Sequence, residues 1–404
     1  MPRADYTART VELLCGNLGV QEKEVELIRL YAKKEQDPAA WQQFFLSIDL
    51  DGERFSFNCM LARLGARFTW KHVPEELAPR LQGIRRLFQV KNMTLMSRAL
   101  KIMGVIQGAG IPMLIMRGGA LRMALLPDVP QKMTDIDFAV PKDRYAECLR
   151  VLEENGYSIG GYWSHSVDIS VGDEPCVDVH WCMFKGNVHH DEPTETIVQR
   201  GSKITKNGVT FSVPSPEDTF LNLLTNAASN YIMLQNGKGS ISWLADCIDL
   251  SERYELSYAT VVEHAREYGV LQELVIAAAL IGHFLPDGFS ELRTLAGVRI
   301  DRRVYRRIKA GMRCFAVSKD DFLASSAPRH LIHALRLIYY ENACSYHLAD
   351  PTPAAVRSYV SLLQDRLKSY DHIEHVWEIP GLIRKRAKVW AERKRGVQDH
   401  AEVQ

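Results

Sequence analysis

From Tyr6 to Gln107 apolar residues recur at helical spacing, as at Met96, Ala99, Leu100, Met103 and Ile106, and the spacing predicts helices. Turn residues at Asp49-Leu50-Asp51-Gly52, and prolines at Pro74 and Pro79, are read as breaks between them. The period then changes. Alternating or short apolar runs predict strands over Pro112–Met116, Thr134–Val140, Ser166–Val171, Pro175–Trp181 and Val209–Val213, with helices at Ala120–Leu126 and Asp143–Asn155 between them. Gly172-Asp173-Glu174-Pro175 is a turn, which makes the third and fourth strands a hairpin. At Ser215-Pro216-Glu217-Asp218 an N-cap serine, a proline at the first helical position and a capping-box-like aspartate open a run of helices. These cover Thr219–Asn230, Ser242–Arg253, Ser257–Tyr268, Val270–Phe284, Arg302–Cys314, Pro328–Asn342 and Pro353–Tyr370. The expectation is an α+β chain: a helical N-terminal region (1–107), a mixed-sheet core (108–213) and a helical C-terminal region (214–404).

Composition adds exclusions. An apolar share of 46% with 25% charged residues rules out disorder and low complexity. Fifty Lys+Arg against forty-nine Asp+Glu leave no chain-wide field to draw nucleic acid or an anionic membrane, so any such contact must be a local patch. The basic run from Arg384 to Arg395, with Trp390 among the charges, is read as a solvated terminal helix, with an RNA- or phosphate-binding tail as the alternative. The longest apolar stretch, Leu274 to Leu285, is too short to span a bilayer, and Met1 to Arg9 has no apolar signal core. A cytoplasmic address without membrane attachment is the default expectation. Eight cysteines lie scattered without a CxxC pair and are read as free thiols. Cys176, His180, Cys182, His189 and His190 crowd together but lack the second paired knuckle that structural zinc requires.

The chemistry gathers in the core. Leu114 to Leu121 is a strand running into Gly118-Gly119 and then a helix, where exposed N–H groups can hold phosphate. Next comes Thr134-Asp135-Ile136-Asp137-Phe138-Ala139-Val140, whose alternation buries Ile136, Phe138 and Val140 and puts Asp135 and Asp137 together on the other face. Two like charges on one apolar strand repel unless a cation lies between them, and a divalent metal is the simplest. A further strand, Cys176-Val177-Asp178-Val179-His180-Trp181, supplies one more carboxylate between two valines. Three carboxylates and a glycine pair suit two Mg²⁺ ions and a nucleoside triphosphate whose α-phosphate is attacked in line.

These residues resemble the uncharacterised nucleotidyltransferase family of the DNA polymerase β-like nucleotidyltransferase superfamily. That family has a Lys-Gly-x-Ala-Leu segment, an Asp-x-Asp strand and an Asp-x-His-Trp strand in succession. Here they stand as Arg117-Gly118-Gly119-Ala120-Leu121, Asp135-Ile136-Asp137 and Asp178-Val179-His180-Trp181. Asn92 resembles the family's lead-in, and Pro214 to Asp218 and Trp243 to Asp246 its helical follow-up. Arg117 replaces the usual Lys, Asn226 a common His, and Gly119 the Ser that others use to touch phosphate.

The resemblance implies a polymerase β-like core flanked by helices and a metal-dependent transfer of NMP from an NTP, with ATP the first choice and Mg²⁺ or Mn²⁺ as cofactor. Asp135, Asp137 and Asp178 would be metal ligands and catalytic groups, and Arg117, Gly118 and Gly119 would bind the nucleotide. The acceptor would be a protein or peptide, an RNA or a small molecule. His180, which shares the face of Asp178, and His165, at the hairpin entrance, are accessory candidates. Asp246 is a third, on a helix whose polar side reads as solvated. The rival reading is a nucleotide- or peptide-binding module whose catalysis has lapsed.

Overall fold

The computed structural model describes residues 5–33, 37–49, 57, 60, 61, 63, 73–129, 131–162, 166–171, 174–184, 194–233 and 240–315. The expected helices at Pro328–Asn342 and Pro353–Tyr370 and the basic run after Arg384 lie outside them, as do His165, His189 and His190.

Three short helices come first: α1 (Thr7–Leu18), α2 (Glu22–Ala32) and α3 (Pro38–Leu46). Then α4 (Ala78–Gly108) runs unbroken for 31 residues. Pro79 does not end a helix as expected. It sits in the first turn of α4, where the missing N–H has no intrahelical partner to lose.

Seven strands form one mixed sheet in the order β3-β4-β5-β2-β1-β7-β6. They are β1 (Leu114–Ile115), β2 (Ile136–Ala139), β3 (Ser158–Tyr162), β4 (Ser166–Val171), β5 (Glu174–His180), β6 (Ser202–Lys206) and β7 (Val209–Val213). The hairpin of β4 and β5 forms as expected, and β5 also pairs in parallel with β2. The two strands that alternation did not reveal, β3 and β6, lie at the edges. Between β1 and β2 the chain forms α5 (Arg117–Ala120), which continues into a π-helical turn at Leu121–Leu125, so the helix starts three residues before the expected Ala120. The remaining connections include α6 (Tyr145–Glu154) and α7 (Thr194–Arg200).

One face of the sheet is apolar. Ile136, Phe138, Val177, Val179, Val167 and Ile169 pack there with Ile102, Met103 and Ile106 of α4 and with Cys148, Leu149 and Leu152 of α6. The C-terminal helices are α8 (Pro216–Met233), α9 (Ser242–Arg253), α10 (Tyr258–Glu267), α11 (Leu271–Phe284), α12 (Ser290–Ala296) and α13 (Arg302–Phe315). Ser215 Oγ accepts from the N–H of Asp218 at 3.1 Å and donates to its carboxylate at 3.0 Å, the start signal read from sequence. These helices share a second core with α1, α2 and α3, in which Leu14, Leu27, Trp41 and Phe44 join Leu224, Leu244, Leu274 and Ile308.

Candidate active site

Strand pairing brings the carboxylates together. β2 and β5 run parallel with Asp137 opposite Asp178, and β4 runs antiparallel to β5 with Asp168 opposite Asp178. Residues directly opposite on neighbouring strands point to one face, so three aspartates stand in a row across the sheet. The neighbours Ile136, Phe138, Val177 and Val179 go to the apolar side and are fully buried, which is why the register cannot slip. Asp168 was not singled out by sequence. Its only signal is an acidic residue between Val167 and Ile169 in a strand already predicted.

One ligand atom each from Asp137, Asp178 and His180 lies within 4.8 Å of the other two. His180 is fully buried and its Nε2 lies 3.0 Å from Asp137 Oδ1. Arg117 Nη1 donates to the same oxygen at 2.6 Å. Arg117 holds a left-handed backbone (φ 49°), which is uncommon outside glycine and places its side chain over β2. Asp135 lines the same cleft but is not part of that three-residue group. Burial and then repulsion from Asp137 push its carboxyl up to about 6. Burial likewise raises Asp178 to about 9, with Asp137, Asp135 and Asp168 adding negative charge and Asp168 sharing a hydrogen bond.

The cleft has a volume of about 400 Å³. Its floor is Arg117, Gly118, Asp135, Asp137 and Asp178, and its far wall is Asn226, Asn230 and Tyr231 of α8 with Trp243 and Asp246 of α9. Gly118 lines it, whereas Gly119 faces the sheet. A Cβ on Gly119 would come within 2.9 Å of Ile115 Cγ1 and 3.2 Å of Ile136 Cγ2, so glycine is required there for close packing. Asn226 reaches the cleft with its Oδ1 unpartnered. Asn92 of α4 is buried, accepts at 2.9 Å from the N–H of Met133 and donates to the Gln131 carbonyl, fixing the loop that delivers Asp135.

Asp246 departs from expectation. It is buried, not solvated, and takes hydrogen bonds from both Arg63 and Arg122. Arg63, wholly buried, also donates to Asp249 at 2.8 Å, and Asp249 accepts from Tyr31 at 2.7 Å. Two arginines compensate two aspartates beneath the cleft wall. Cys176 and Cys182 are buried in the sheet core.

No curated protein matches the chain. Among solved structures it is similar to the solution structure of the antibiotic-resistance factor ANT(2'')-Ia, at 18% identity and a TM-score of 0.33, covering 45% of this chain and 96% of that one. It is similar also to a crystal structure of ANT(2'')-Ia in complex with adenylyl-2''-tobramycin, at 16% identity and a TM-score of 0.29, covering 47% and 99%. Likeness this distant carries no argument about the chain. The family model described as uncharacterised nucleotidyltransferase matches residues 57–286. That match takes in more than half of the sequence and spans the sheet, the three aspartates and the cleft wall, so the chain belongs to the uncharacterised nucleotidyltransferase family.

Proposed function

We propose that this protein transfers a nucleoside monophosphate from an NTP, with ATP preferred, to an acceptor hydroxyl or amine and releases pyrophosphate. The acceptor belongs to a peptide or protein, an RNA or a small molecule. The observation that carries the reading is the in-register Asp137–Asp178 pair, with His180 beside it and Asp135 in the same cleft. Carboxyls that burial and mutual repulsion hold above their ordinary range favour a cation among them, and an oxygen-rich set with one imidazole fits Mg²⁺ or Mn²⁺. Asp135, Asp137 and Asp178 would hold the ions, which when bound neutralise charge on the attacking and leaving oxygens.

The chain's own residues do the rest. Asp178, held as the carboxylate by the ions, would accept the proton of the acceptor as the acceptor atom bonds to the α-phosphorus and the bond to pyrophosphate breaks. His180 orients Asp137 through its Nε2 contact. Arg117 exchanges its bond to Asp137 for the charge of the departing pyrophosphate, and Gly118, in the first turn of α5, offers backbone N–H to the phosphates. Gly119 contributes the close packing that sets this turn against the sheet.

Incubation of the protein with each α-labelled NTP and Mg²⁺ or Mn²⁺, with protein, RNA and small-molecule acceptors, tests the reading. Label transfer with stoichiometric pyrophosphate, lost in Asp137→Asn, supports it. NTP binding with no transfer to any acceptor would leave the lapsed binding module as the better description.

A further inference from the structure

A second surface has a different chemistry. In α13 the segment Arg302-Arg303-Val304-Tyr305-Arg306-Arg307-Ile308-Lys309 carries five cations and no acid. An ordinary solvated helix face mixes both signs. Val304 and Ile308 anchor the helix in the core, while Arg302, Arg303, Arg306 and Lys309 are exposed, with Arg299 just ahead of them. Arg302, Arg306 and Lys309 follow i, i+4, i+7 spacing and so form one row.

The N-terminus of α1 is fastened beside this row. The Tyr6 N–H donates to the Ile300 carbonyl at 2.8 Å, and the Ile300 N–H donates to Thr7 Oγ1 at 3.0 Å. Tyr6 and Tyr305 stack with centroids 5.3 Å apart, both rings half-buried, and exposed Arg9 lies over Tyr6 at 5.5 Å. The nearby acids are largely occupied. Asp301 caps the helix through the N–H groups of Arg303 and Val304, and Asp5 takes both donors of Thr7.

We propose that this cationic row and its paired tyrosines bind single-stranded nucleic acid. Guanidinium groups match phosphate oxygens, and aromatic rings set among them give bases a surface to stack on. A membrane surface is the poorer fit, because an interfacial helix needs a free apolar face and the apolar face of α13 is buried in the core. A near-neutral chain thus places the necessary charge locally. The inference stands on this surface alone and does not depend on the chemistry of the cleft.

Fluorescence anisotropy of the full chain with a labelled 20-nucleotide RNA, titrated over KCl, tests it. Six cations on phosphate set an upper limit of about −4 for the slope of log K against log salt. The triple variant Arg302→Glu, Arg306→Glu, Lys309→Glu should weaken binding at least tenfold at ~50 mM salt and flatten the slope by ~2. Tyr305→Ala should weaken binding roughly fivefold or more with the slope unchanged, since stacking carries no counterions. Unchanged melting curves show that the variants are folded. RNA binding that the triple variant keeps, or binding to vesicles with ~30% phosphatidylserine but not to RNA, overturns the proposal.

Discussion

Replacing Asp178 by Asn should raise the stability of the metal-free protein while it abolishes transfer, and the size of the gain should depend on pH. In the fold Asp178 stands between Asp137 and Asp168, and its carboxyl is raised from 3.8 to about 9. The folded state therefore holds this proton more tightly than the unfolded chain. The stability that the proton provides is fully present below pH ~4 and is lost as pH rises through the folded value, at ~1.36 kcal/mol per unit. From pH 3.8 to pH 7 the upper limit is ~4 kcal/mol. Because the proton is shared with Asp168, replacement recovers a part of this, and ~2 kcal/mol is the working figure. In calorimetry with EDTA, Asp178→Asn should melt with wild type at pH 4 and roughly 5 °C above it at pH 7.5. Millimolar Mg²⁺ should reverse the order, since at 100 times its dissociation constant a ligand adds ~2.7 kcal/mol to the protein that binds it. Transfer should fall about a thousandfold or more, as for loss of several kcal/mol of metal-held transition-state stabilisation. A variant less stable than wild type in EDTA at pH 7.5, or one that Mg²⁺ stabilises equally, would refute the like-charge argument.

Three further outcomes follow from the packing. Gly119→Ala should cost ~1–3 kcal/mol in urea unfolding because its Cβ meets Ile115 and Ile136, whereas Gly118→Ala, whose nearest contact is Met133 at 3.7 Å, should cost little. Arg63→Met should cost about 3–5 kcal/mol by leaving Asp246 and Asp249 undercompensated, and adding Asp246→Asn to it should recover part of the loss in a double-mutant cycle. Glu273 of α11 is buried and raised to about 8 by desolvation, so its contribution is fully present below pH ~4.5 and lost as pH rises towards 8. Glu273→Gln should unfold at higher urea than wild type, by a margin that widens from pH 5 to pH 8; parallel curves would show that burial does not raise this carboxyl.

Alternation carried most of the sheet. β4 and β7 fall on their expected residues, because Val167/Ile169 and Phe211/Val213 mark a buried face at period two. At the edges the signal fades: β3 contains Gly160-Gly161, and β6 turns Ser202, Lys203 and Thr205 to solvent. The Asp-x-Asp pair and Asp178 were legible as carboxylates set between apolar residues in strands. Asp168 was not, since its importance comes from register with Asp178 rather than from its own segment. Asp246 failed for a related reason. Its partners Arg63 and Arg122 lie 183 and 124 residues away, and helical periodicity reports only which side of a helix is polar, not what covers it.

The shared core of the first three helices and the last six has a consequence for synthesis. α1 and α2 meet α9 and α11 only after some two hundred further residues have been made. The leading helices must therefore leave the ribosome with their apolar faces uncovered and wait while the sheet assembles. Contacts so distant in sequence are slow to close, and exposed apolar surface in the interval invites aggregation or chaperone capture. A fragment cut to residues 57–286 would lose α1 to α3 and leave that apolar surface uncovered, so it should aggregate more readily than the full chain.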